Sequence, residues 1–165
     1  MLKRFIIVLL LIFFALSKLA FADFDMSIEG NYKTINFGAM DLDEEKTISQ
    51  RGGYEHQFNF NSTNGRTWYF KAQLLMPFTS GTYTIPPENL QWIAEQVIGG
   101  QGVLSTSLSR PSPFSSNPVL IYTSAASDNT GTDVQIRLKY TLKIPKNQIA
   151  GAYTGHIRFI MVEEL

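Results

Sequence analysis

The chain has 165 residues, no cysteine, a formal charge of zero, 44% hydrophobic and 13% aromatic residues, and only 17% charged residues. That is one domain's length, and with no lysine or arginine excess it lacks the broad basic surface that nucleic-acid binding requires. The aromatic and β-branched content excludes disorder, and the missing cysteines exclude disulfide scaffolds, thiol catalysis and cysteine zinc sites.

At the start, Lys3 and Arg4 precede an apolar run over residues 5–16, and Ala20-Phe21-Ala22 supplies the small residues a signal peptidase accepts. Residues 1–22 are therefore predicted to be a signal peptide helix. The apolar run is about a dozen residues, short of the roughly 20 that a spanning helix needs. The expectation is a secreted, periplasmic or cell-surface protein with no membrane span after cleavage. Cleavage removes three of the 14 basic residues and none of the 14 acidic ones, which leaves residues 23–165 with a net charge of −3. An exported domain without disulfides must offset chain entropy through its core alone, and a domain of this size buries about two-thirds of its unfolded surface.

From residue 23 onward the pattern is strand and turn. Residues 24–28 alternate Phe24, Met26 and Ile28 against Asp25 and Ser27. They predict a strand that pairs within its own sheet, with donation to a neighbouring molecule as the other outcome. Residues 33–37 and 46–49 are shorter strand candidates. Residues 54–60 place Tyr54, His56, Phe58 and Phe60 opposite Glu55, Gln57 and Asn59, and residues 67–76 place Trp68, Phe70, Ala72 and Leu74 opposite Lys71 and Gln73. The Asn64-Gly65 turn signal between them predicts a hairpin.

Further strands are predicted over 83–85, 90–97 and 119–123, although 90–97 also fits two turns of helix. Residues 99–118 are rich in glycine, serine and proline and longer than ordinary connections, so they are expected to form a mobile or binding loop, with Arg110 and Phe114 as its surface contacts. Residues 133–144 alternate over their whole length, with Val134, Ile136, Leu138, Tyr140, Leu142 and Ile144 on one face. Residues 153–162 repeat the pattern. Short strands at roughly 8 to 12-residue spacing predict an all-β, immunoglobulin-like antiparallel β-sandwich of seven to nine strands, with a jelly roll or small barrel as the alternative.

Little in the chain points to catalysis. His56 and His156 are its two imidazoles, and neither stands in a metal-ligand spacing. His56 falls on an apolar face and is expected to be structural, while His156 is expected to face solvent. No Gly-x-Ser-x-Gly elbow occurs. Gly100-Gln101-Gly102-Val103-Leu104-Ser105 looks like a phosphate loop but lacks the following lysine and a strand-to-helix setting. The acidic runs 41–45 and 128–133 predict solvated turns, with a calcium site as the alternative. Asn61-Ser62-Thr63 fits the glycosylation pattern but is taken as a turn. The expectation is a non-catalytic protein without cofactor or metal.

Among the aromatics, Trp68 and Trp92 are expected as core anchors, and Tyr69, in opposite phase to Trp68, as a surface contact. A sugar-binding platform drawing on Trp68, Tyr69, Tyr83, Trp92 and Tyr122 is the alternative. Gly151 permits a tight approach to the last strand. Tyr153, two residues on, is placed to bond its hydroxyl to an upstream backbone group as a tyrosine corner.

Three segments carry a resemblance. They are Ile35-Asn36-Phe37-Gly38, Gly65-Arg66-Thr67-Trp68-Tyr69-Phe70 followed by Pro77-Phe78, and Ile144-Pro145-Lys146-Asn147-Gln148-Ile149-Ala150-Gly151-Ala152-Tyr153-Thr154-Gly155. Their order resembles that of bacterial WxL-type surface domains, and the first and last are similar also to coat-protein-U-like subunits of secreted pili. Trp68-Tyr69-Phe70 stands where WxL domains have Trp-x-Leu, and Arg158-Phe159-Ile160 stands where they have a second tryptophan. The pilus subunits usually contain cysteines, which this chain lacks. The resemblance implies a secreted sandwich acting by attachment or assembly, with a cell-envelope polymer or surface protein as partner, or with other copies joined through edge strands.

Overall fold

The computed structural model describes residues 23–31, 34–48 and 56–163. The predicted signal peptide, Lys33, Ser49, Tyr54 and Glu55 lie outside the described residues. Among the described residues eleven strands form two antiparallel sheets packed face to face, which is the expected β-sandwich. They are β1 (Phe24–Ile28), β2 (Glu45–Ile48), β3 (His56–Ser62), β4 (Trp68–Ser80), β5 (Tyr83–Thr84), β6 (Leu90–Ile98), β7 (Val103–Leu104), β8 (Ser112–Pro113), β9 (Val119–Thr123), β10 (Val134–Lys143) and β11 (Thr154–Glu163). The first sheet runs β1-β3-β10-β6-β8, with β2 also pairing with β10. The second runs β11-β4-β9-β7, with β5 pairing with the end of β4. Three strands have only two residues, so the eight longer ones account for the expected number.

Period-2 patterning builds these sheets. In β10, Val134, Ile136, Leu138, Tyr140 and Leu142 are buried while Gln135, Arg137 and Lys139 line the outer face. Its register sets Ile136 opposite Phe58 and Leu138 opposite His56. Residues 90–98 are strand rather than helix, because β10 on one side and β8 on the other satisfy their backbone groups. Trp92 and Leu90 then point inward and are fully buried.

The predicted hairpin does not form. β3 pairs with β1 and β10, and β4 pairs with β11 and β9, so the two strands belong to different sheets. The Asn64-Gly65 segment does reverse the chain, with Gly65 at φ 69° and its N–H donating to Asn129 O. It turns the chain over the core instead of alongside its neighbour. The aromatic rows of the two strands consequently face each other, with Phe60 stacked on Trp68 at 5.1 Å and Phe58 against Phe70 at 5.0 Å. Each buried aromatic side chain contributes about 2–3 kcal/mol, and side-by-side pairing would have left the two rows without this mutual burial.

The segment around 34–37 is not a strand, although Phe37 is buried. Residues 99–118 are not one open loop either. β7 pairs with β9 and β8 with β6, and the Phe114 N–H donates to Leu90 O, so the segment is tied to both sheets.

Candidate functional site

The outer face of the second sheet brings together side chains that solvent would ordinarily select against. Outward positions of β4 are Tyr69, Lys71, Gln73 and Leu75, and the register sets Val162 and Thr123 beside Tyr69, Ile160 and Leu120 beside Lys71, and Arg158 beside Gln73. β7 adds Val103 next to Thr123. Val103 is 70% exposed, Leu75 53%, and Leu120 and Val162 37% each. Four of the nine exposed large hydrophobic side chains among the described residues thus lie on this face, Val162 and Leu120 on the strands flanking the Tyr69 end of β4, Val103 one strand further, and Leu75 six residues along β4. A contiguous patch of that kind is how monomeric proteins present a contact surface.

The charges on this face share one sign. Lys71 Nζ sits 5.2 Å from the Tyr69 ring centroid, a cation–π contact, and Arg158 Nη2 donates to Gln73 Oε1 at 2.5 Å. None of these outward positions carries a carboxylate. Glu163 turns the other way, where Asn64 donates to it and Arg66 stands 4.0 Å off. The face therefore combines an aromatic ring, aliphatic area and two fixed cations.

The other expected contacts divide. Tyr69 is half-buried on this face, near the start of β4, and Arg110 is exposed, but the two are not brought together. Phe114 is not a surface contact: it is 2% exposed and stacks on Tyr140 in the core, because β8 folds its loop inward. Trp68 and Trp92 are buried as expected. His56 is buried with Nδ1 2.6 Å from the Tyr140 hydroxyl, and His156 is exposed. Burial raises the Tyr140 hydroxyl pKa well above its ordinary value. Tyr153 forms the expected corner, donating its hydroxyl to Ile149 O at 2.6 Å and accepting from Gln148. At Gly151 a Cβ would meet Ser80 Oγ at 2.4 Å, so a larger residue there requires the Ser80 side chain to move.

Residues 128–133 are not simply a solvated turn. Asp128 is fully buried, and its carboxylate accepts from the Tyr122 hydroxyl at 2.7 Å and from the backbone N–H groups of Gln101, Gly102 and Ala125 at 2.9–3.0 Å. Burial alone would raise its pKa, but these donors outweigh it and hold the carboxyl below its ordinary value. Burial also raises the Tyr122 pKa, and the Asp128 hydrogen bond and charge raise it further. The glycine loop that looks like a phosphate site thus has its amides turned onto a carboxylate of the same chain. Beyond Gly102 the loop runs directly into β7, so Asp128 fixes the edge that presents Val103.

Among the described residues no cluster of three or more His, Cys, Asp and Glu is placed to hold a metal ion, and no helix is long and apolar enough to cross a membrane. No protein-family model matches this chain, and no curated protein matches it.

Proposed function

We propose that the protein is an exported, non-catalytic structural or binding module of the bacterial cell surface, which holds a cell-envelope polymer or surface protein against the outer face of its second sheet. The observation that carries this is the exposure of Val103, Leu120 and Val162 on the strands beside Tyr69, continued along β4 by Leu75, with Lys71 and Arg158 as the charges on the same face. The ring and aliphatic groups supply contact area at low entropic cost, and the cations orient an acidic or hydrogen-bond-accepting partner. The leader-like residues 1–22 support export. A carbohydrate-binding role is the second reading, and the Lys71 ammonium over the Tyr69 ring weighs against it, since a stacked sugar on that side would have to displace the cation.

Retention of the protein on peptidoglycan, envelope polysaccharide and immobilised envelope extract tests the proposal. Tyr69→Ala and Lys71→Ala are each expected to abolish retention on the matrix that holds the parent protein, with thermal stability nearly unchanged. Retention equal to the parent in both variants would overturn the assignment of this face.

A further inference from the structure

Beyond that face, the side of the sandwich is unfinished. Among the described residues β1 pairs with β3 alone and β11 pairs with β4 alone, so each is the outer strand of its sheet. Both lie on one side of the molecule, where Met26 and Ile28 from β1 and Ile157 and Phe159 from β11 line a groove of about 790 Å³ with His56 among its walls. The groove separates two edges with unused backbone donors and acceptors, which proteins ordinarily cover or pair.

We propose that a second copy of this chain covers the groove, in a closed two-fold dimer where β1 of each copy pairs antiparallel with β11 of the other. The heights of the strands permit it. Ile28 is opposite Phe58, whose ring lies 4.5 Å from Phe159. Met26 is opposite Phe60, whose ring lies 4.8 Å from Phe70, the partner of Met161. Phe58 also lies 5.0 Å from Phe70, and Phe60 5.1 Å from Trp68, the partner of Glu163, which brackets Ile28 between Phe159 and Met161 and Met26 between Met161 and Glu163. The pairing we assign is the one that keeps the Glu163 carboxylate out of the groove, with Ile28 level with Phe159 and Met26 with Met161. Directions agree as well. Phe60 meets Trp68 while Phe58 meets Phe70, so β3 and β4 run oppositely, and with them β1 and β11.

A two-fold axis parallel to the strands preserves these heights. It sets the first-sheet edge of one copy against the second-sheet edge of the other, and it does so twice, because the spacing between sheets is the same in both copies. Ile28 then faces Phe159 of the second copy and Met26 faces Met161, which closes the groove. On the outside Ser27 faces Ile160 and Glu29 faces Arg158. Charge selects this pairing over its rivals. Asp25 and, just past the end of β1, Glu29 line one acidic hollow with Asp133, whereas Arg158 is the one charge at the outer positions of β11. Pairing β1 with β1 sets acid against acid, and β11 with β11 sets base against base. The dimer joins the edge strands, and its outer contacts Ile160 and Arg158 border the face proposed above, so its readout is association in solution and not retention on envelope material.

The absence of cysteine makes a direct test available. Protein purified after expression of the full chain is compared with Ser27→Cys, Ile160→Cys and the double variant under mild oxidation. The double variant is expected to yield a covalent dimer and nothing larger, and neither single variant any cross-link. A bond within one chain is excluded, because the two positions face outward from opposite sheets about 10 Å apart, beyond the reach of a disulfide. In the unmodified protein, Arg158→Glu is expected to weaken dimerisation about ten-fold in sedimentation and Glu29→Arg in the same chain to restore it. A monomer at every concentration, a cross-link in either single variant, a ladder of higher multimers, or no rescue by the charge swap would each overturn the proposal.

Discussion

On the outer face of the first sheet, Arg137 donates to Gln57 at 2.9 Å and to Gln96 at 3.0 Å, Gln57 donates to Asn59, and Lys139 pairs with Glu95 at 3.2 Å. The outer face of the second sheet is built from the same alternation of inward and outward residues, yet its outward rows hold Tyr69, Leu75, Val103, Leu120, Ile160 and Val162. The centre of one face bonds its polar groups to one another, and the other face leaves apolar area and two cations facing outward. Alternation fixes which residues face out, and the identity of those residues then decides whether a face is finished or awaits a partner.

The comparison breaks most severely at the support of the second sheet. Asp128→Ala leaves the buried Tyr122 hydroxyl and the N–H groups of Gln101 and Ala125 without their acceptor, while the Gly102 N–H keeps the Tyr122 oxygen, and is expected to lower unfolding stability by about 3 kcal/mol, read as a lower denaturant midpoint. Acid should reproduce part of this loss. Because the carboxyl pKa is depressed in the folded state, its stabilisation is present above the ordinary carboxylate range and disappears as pH falls through the folded value. The stability gap between the parent and Asp128→Asn, measured by urea melts across pH, is expected to shrink as the pH drops below about 4.

A smaller effect is expected on the finished face. Arg137→Ala removes two side-chain hydrogen bonds and should lower stability by about 1 kcal/mol while leaving retention on envelope material unchanged. The unfinished face should respond in the opposite sense. Val103→Ser, at the most exposed of the apolar positions, is expected to alter stability by less than about 0.5 kcal/mol yet weaken retention measurably. Equal effects of Arg137→Ala and Val103→Ser on retention would erase the distinction between the faces.

Much of this architecture is legible in the sequence, because it rests on local pattern. The alternation of β10 and β11, the burial of Trp68 and Trp92, and the Tyr153 corner each need only a few neighbouring residues to be recognised. The errors share a cause. Asn64-Gly65 announces that the chain reverses, but whether it reverses within a sheet or across the core depends on the aromatic rows on both sides. Phe114 lies in a stretch without periodicity, and only its pairing with Leu90, far along the chain, turns it inward. Asp128 looks like any turn aspartate until Gln101 and Gly102 arrive from 27 and 26 residues away. Phase alone places Tyr69 on the outer face, whereas its neighbours Leu120 and Val162 come from strands whose register the sequence does not reveal.

The Asp128 carboxylate has one more consequence. A carboxylate held by three amides and a phenol is, chemically, a bound anion that happens to be tethered to the chain that binds it. Trimming its side chain vacates a receptor of carboxylate size, so formate or acetate should restore to Asp128→Ala part of the stability that the tether had supplied, while uncharged formamide should restore less.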